Sequence, residues 1–172
     1  MKKPILYLLF LVFATNNCSA KYIGGFIAAK NVSGYTYQIA VTTYTTTDSS
    51  ADGSTIVVFF GDGSSQAIPR TNGAGSGVLI EHNILKSVYE GTHTYSGVGK
   101  YTISFTASNR APGIVNIPSS YDVNFYVETN LYVFNPITDC VSNSVDFDRM
   151  PISETGPGNE YNSDFPIVFS DN

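Results

Sequence analysis

The chain has no tryptophan, two cysteines, two histidines and two methionines in 172 residues, and only 13% of it is charged. With nine Lys and Arg against fourteen Asp and Glu, the net charge is −5, so there is no basic surface to hold a phosphate backbone, and nucleic acid is excluded as a partner. No G-x-S-x-G, H-E-x-x-H or paired C-x-x-C is present, and two histidines leave little from which to build a catalytic triad or a metal cage. The expectation is a protein that is not an enzyme and carries no cofactor.

What is present points to strands. Twelve Tyr, eleven Phe and runs of Thr and Val fit a pleated, half-buried surface, and 42% hydrophobic residues suffice for one core. The first 20 residues stand apart: Lys2 and Lys3, an apolar run from Ile5 to Ala14, then Cys18-Ser19-Ala20 with small residues where a signal peptidase reads. The run is about half of the roughly 20 residues that span a bilayer, so residues 1–20 read as a cleaved signal peptide and no transmembrane helix is retained. Thr15-Asn16-Asn17 before Cys18 do not form a lipobox. Cleavage after Ala20 removes two lysines, giving the mature chain a charge of −7, and leaves Cys140 as its only thiol. An exported chain of this kind has no intrachain disulfide, and Cys140 reads as a small buried hydrophobe rather than a reactive thiol.

From Tyr22 onward, turn chemistry separates short alternating runs. Tyr22 to Lys30 is a strand, Asn31-Val32-Ser33-Gly34 a turn, and Tyr35 to Thr47 a second strand with Tyr37, Ile39, Val41 and Thr43 on one face and Gln38, Ala40, Thr42 and Tyr44 on the other. Thr55 to Phe60 is a third strand, closed by the Gly61-Asp62-Gly63-Ser64 turn, and Pro69 to Gly77 is a loop. Val78 to Tyr95 reads as strand and loop with room for a short helical turn. Ser96-Gly97-Val98-Gly99 is a hairpin turn before a strand from Lys100 to Ala107, with Tyr101, Ile103 and Phe105 in phase. Arg110 to Ser120 is a loop, and Tyr121 to Phe134 a long strand with Val123, Phe125 and Val127 in phase. The sum is an all-β, immunoglobulin-like sandwich over residues 21–136. Residues 137–172 carry seven acidic side chains and one Arg, with Gly156-Pro157-Gly158-Asn159 inside, and read as a flexible acidic tail or the start of a truncated second domain. The alternative is a tail that docks back through Phe165, Ile167, Val168 and Phe169, adding a strand to a sheet edge.

Phe59-Phe60-Gly61-Asp62-Gly63-Ser64, followed by His93-Thr94-Tyr95-Ser96-Gly97-Val98-Gly99-Lys100-Tyr101-Thr102-Ile103, resembles the signature of PKD domains, an aromatic-GDG turn and then an HxY-x-x-x-G-x-Y strand pair. The wider stretch resembles the amino-terminal region of gliding-motility-associated secreted proteins of Bacteroidota, through Ile23-Gly24-Gly25, Arg70-Thr71-Asn72-Gly73 and Asn109-Arg110-Ala111-Pro112-Gly113-Ile114-Val115-Asn116-Ile117-Pro118. The resemblance implies an immunoglobulin-like PKD-type sandwich. Val58 stands where PKD domains commonly carry Trp.

Three sets of residues are candidates for chemistry. Asp62 reads as a turn carboxylate that accepts backbone N–H groups, with a Ca²⁺ site built from Asp48, Asp52 and Asp62 as the alternative. His93 reads as a satisfied structural imidazole beside Tyr95 at the start of a strand pair, and His82 as a chance neighbour of Glu81. Tyr35, Tyr37, Tyr44, Tyr89, Tyr95 and Tyr101 are candidates for an aromatic strip that stacks on sugars or a protein partner, or else for the core. Asn31-Val32-Ser33 matches a glycosylation sequon by pattern only. The functional expectation is a monomeric, non-catalytic binding or adhesion module, secreted or at the cell surface, whose partner is a surface protein or glycan. A structural spacer, or the remnant of a longer multidomain surface protein, is the alternative.

Overall fold

A computed structural model describes residues 21–49, 52–81, 83–108, 110–135, 137, 142–147 and 167–168. Cys18, Cys140, His82 and the signal segment therefore lie outside the described residues, as does most of the acidic tail.

Two antiparallel four-stranded sheets pack face to face. The first contains β1 (Tyr22–Ser33), β2 (Thr36–Thr46), β5 (Val78–Glu81) and β6 (Ile84–Thr94) in the order β1-β2-β6-β5. The second contains β3 (Thr55–Phe59), β4 (Ser65–Pro69), β7 (Gly99–Ala107) and β8 (Phe125–Val133) in the order β4-β3-β7-β8. This is the strand order of an immunoglobulin domain with one further edge strand on the second sheet. Among the described residues no helix is long and apolar enough to cross a membrane.

Period-two patterning builds the core. Tyr37, Ile39 and Val41 from β2, Ile56 and Val58 from β3, Ile103 and Phe105 from β7, and Phe125, Leu131 and Val133 from β8 all point between the sheets and are buried. Each such side chain contributes about 1.5–3 kcal/mol through the apolar surface it removes from water. Val58 fills the inner face of β3, the strand on which antibody domains carry their buried Trp. Tyr101 donates its hydroxyl to the Gly97 carbonyl at 3.1 Å, fixing the start of β7 in the manner of the tyrosine corner of immunoglobulin folds.

Several local readings change. Asn31-Val32-Ser33 extend β1, and the turn is Gly34-Tyr35, because Ser33 already pairs with Thr36. Ser65–Pro69 is a strand the sequence conceals: it is polar and ends in Pro, which suits its place at a sheet edge. Val78 to Tyr95 contains two strands and no helical turn, with a tight reversal at Asn83, whose φ is 132°. Ser96–Gly99 is not a hairpin turn. It carries the chain from β6 in the first sheet to β7 in the second, so the HxY and GxY segments face each other across the core rather than pairing. The last strand of the second sheet begins at Phe125, after a 3₁₀ turn at Ser120–Asp122, and Val123 is exposed.

The ring of Tyr22 stacks on Phe125 at 4.8 Å, which sets the start of β1 beside the start of β8. Residues beyond β8 return to the first sheet. Asn143 and Ser144 hydrogen-bond to β1, and β9 (Asp146–Phe147) pairs with β10 (Ile167–Val168) in a separate two-stranded sheet.

Candidate functional site

The aromatic-GDG turn connects β3 to β4, and its carboxylate has two tasks. Oδ1 of Asp62 accepts the Ser64 N–H at 2.9 Å and the Ser64 hydroxyl at 2.5 Å, closing the turn. Oδ2 lies 2.7 Å from Nε2 of His93 on β6, so the same carboxylate ties the second sheet to the first. Burial pushes the Asp62 carboxyl up, but the hydrogen bonds from Ser64 and His93 outweigh it and hold the group down at about 2. The imidazole stacks flat on Phe60, with ring centres 4.0 Å apart, and meets Tyr95 edge-on at 4.7 Å. Tyr95 in turn donates to the Phe60 carbonyl at 3.2 Å and stacks on Tyr101 at 4.2 Å. His93 stands near the end of β6 rather than at the start of a strand pair. Chemically, the order Ser64–Asp62–His93 places the carboxylate between hydroxyl and imidazole. In a Ser-His-Asp triad the imidazole holds that middle position, whereas here the carboxylate does, and it clamps the turn to β6.

Asp52 occupies a different environment. It and Arg70 have side chains only 8% and 5% exposed, and they pair at 2.6 Å. Asp52 also accepts from the Ser87 hydroxyl at 2.5 Å and the Gly77 N–H at 2.6 Å, while Tyr89 donates to the neighbouring Gly53 carbonyl at 2.8 Å. The Asn72 side chain continues the network along β6, donating to the Lys86 carbonyl and accepting the Val88 N–H at 2.7 Å. Arg70-Thr71-Asn72-Gly73 is thus a strap across β6, anchored by the side chains of Arg70 and Asn72. Burial, with Tyr89 and Asp52 close by, raises the Tyr22 phenol well above its ordinary range, and burial beside Asp52 raises Tyr89.

Asp48 lies apart from both, on the surface, where the hydrogen bond and ion pair with Lys21 hold its carboxyl low. The three carboxylates of the alternative cation set therefore serve three separate places and do not converge. Among the described residues no group of three His, Cys, Asp or Glu is arranged to hold a metal.

The expected tyrosine strip resolves as core. Tyr37, Tyr44, Tyr89 and Tyr95 are buried, and Tyr35 and Tyr101 pack against them half-buried. A different set, aromatic but for one valine, is exposed on the outer face of the second sheet: Tyr126 and Tyr132 from β8, Val57 and Phe59 from β3, and Phe134 just beyond β8. Their phase was readable, since they alternate with Phe125, Leu131, Val133, Ile56 and Val58, which point inward. Small polar residues lie between them, with Thr102 donating to Asn130 at 3.1 Å, and the Lys100 ammonium sits 5.7 Å above the Tyr132 ring. Tyr126 donates to Glu128 at 2.5 Å, and that bond raises its phenol. An open hollow of about 400 Å³ in the 112–121 loop is lined by Pro112, Ile114, Val115, Ile117 and Pro118, with no carboxylate, imidazole or amine.

The fold and these sites define an immunoglobulin-like β-sandwich with a carboxylate–imidazole clamp between its sheets and one aromatic-bearing outer face. No family model, curated protein or solved structure matches the chain.

Proposed function

We propose that the chain is an exported, non-catalytic binding or adhesion module of a bacterial cell surface, built on a PKD-type sandwich and engaging a surface protein or glycan. One observation carries this reading: the exposed set Val57, Phe59, Tyr126, Tyr132 and Phe134 on one sheet face, on a polar Ser/Thr/Asn background. Aromatic rings held on a rigid sheet bring contact area at little entropic cost, and Tyr126 and Tyr132 have Glu128 and Lys100 beside them to orient a ligand. Export rests on residues 1–20, and predicts that the protein recovered outside the cytoplasm has the intact mass of Lys21–Asn172, measured by mass spectrometry. A lipid-modified mass would replace cleavage after Ala20 by anchoring at Cys18.

The test of binding is an array of bacterial-surface glycans and, separately, surface-protein extracts, probed with the chain from Lys21 onward. Saturable binding that drops tenfold or more in Tyr126→Ser/Tyr132→Ser, with stability changed by no more than about 0.5 kcal/mol, supports the module. A second reading, a structural spacer, draws on the Tyr22–Phe125 stack, since β1 and β8 then start at the same pole and the chain leaves β8 at the opposite one. Absence of binding across both panels favours the spacer.

A further inference from the structure

An edge strand presents a row of N–H and C=O groups that any extended chain can pair with. β1 is such an edge, lying outermost in the first sheet. Its groups at both ends are nevertheless taken. At its start, the Ala111 N–H donates to the Tyr22 carbonyl at 2.9 Å. Towards its end, the Ser144 N–H donates to the Ala29 carbonyl at 2.9 Å, the Ala29 N–H donates to the Ser144 hydroxyl at 2.6 Å, and the Asn31 N–H donates to Oδ1 of Asn143 at 2.8 Å. Ala29 and Asn31 are two residues apart, so these bonds lie along one edge, and the pairing of 144 with 29 and 143 with 31 runs antiparallel to β1. Two of the three bonds at 29 and 31 use side-chain oxygens. The segment meets the edge groups of Ala29 and Asn31 without continuing as a regular ladder there, which satisfies that end of the edge and offers little of a new one.

We propose that Asn143–Ser144 is an edge guard, which occupies the strand-addition site of β1 in cis and so keeps a second copy of this chain from pairing there through its own β1. Two β1 edges brought together antiparallel would join the first sheets of two copies into one continuous sheet, the self-complementary contact that a two-fold dimer requires.

The test uses the full mature chain. In the unmodified protein, light scattering should report a monomer at all concentrations, and the Ala29 and Asn31 amides should exchange slowly by NMR-detected hydrogen exchange. In Asn143→Ala/Ser144→Pro those two amides should exchange about tenfold faster or more in dilute solution, and a dimer should form with concentration and protect them again. Adding Asn31→Pro, which removes the edge donor, should return the protein to monomer. A variant that stays monomeric at high concentration overturns the proposal. So does a dimer that persists with Asn31→Pro, or fast exchange at Ala29 and Asn31 in the unmodified chain. Loss of the fold in the milder Asn143→Ala/Ser144→Ala would also overturn it, because the segment would then be part of the core rather than a cover for its edge.

Discussion

Replacing Asp62 with Asn keeps the size of the side chain and removes its charge, which isolates what the carboxylate contributes to the clamp. Hydrogen bonds to a charged group outweigh neutral ones, and the loss expected at pH 7 is about 1–2 kcal/mol by urea denaturation. The pH dependence has a fixed sign. The folded carboxyl titrates near 2, below its ordinary value of 3.8, so its stabilisation is present above 3.8 and is lost as pH falls from there toward 2. The gap between Asp62→Asn and the unmodified protein should therefore close across that window. A gap that stays constant to pH 2 would place the effect in shape rather than charge. Asp52 calls for a larger number: Asp52→Ala leaves the Arg70 guanidinium buried and unpaired, at a cost of about 3–5 kcal/mol, and a double variant with Arg70→Ala should lose less than the sum of the two singles. The sequence shows Asp62 as a turn carboxylate because two glycines flank it. It does not show His93 as the partner, 31 residues away, since that contact exists only once one sheet lies on the other. Asp52 is hidden more thoroughly, in a polar run that resembles a surface turn, and only the arrival of Arg70 and Ser87 makes its burial tolerable.

At the scale of the element, the GDG turn offers a controlled comparison. Gly61 and Gly63 have φ of 84° and 89°, both in the region that disfavours side chains, but a Cβ on Gly61 would lie 2.6 Å from the Thr102 backbone while one on Gly63 would meet nothing. Gly63→Ala should cost about 1–2 kcal/mol, the conformational term alone, and Gly61→Ala clearly more, because β7 must move away; thermal denaturation of the two side by side decides it. Equal costs would mean the turn shifts freely over β7. Strands with clean alternation, such as Lys100 to Ala107, were legible to within a residue. Where the legibility failed, the reasons differ. β4 lacks apolar alternation because one of its neighbours is solvent. The Ser96–Gly99 link carries the Gly pattern of a hairpin, and turn chemistry reports that a chain reverses without reporting which sheet receives it. Val78 to Tyr95 mixes helical and strand spacing, and its pairing with β2 over the whole length of β6 settles the choice.

For the molecule as a whole, the interior is unusually phenolic. Tyr22, Tyr89 and Tyr95 are buried, and burial raises each above the ordinary value of 10. Raised phenols stabilise the fold fully below pH 10, and the benefit falls as pH rises beyond it, because the unfolded chain ionises where the folded one does not. Tyrosinate absorbance should therefore rise in two stages on alkaline titration. The buried set ionises last, together with loss of the β circular dichroism signal. A single smooth stage with the sheets intact would contradict the burial. One consequence of the Tyr22–Phe125 stack concerns mechanics. A pull between Tyr22 and Val133 would run along the strands rather than across them, over roughly 27 Å of β8 at about 3.4 Å per residue. To give way, β1 would have to slide past β2 with its whole ladder loaded at once instead of opening bond by bond, and such a domain resists stretching far better than its modest length suggests.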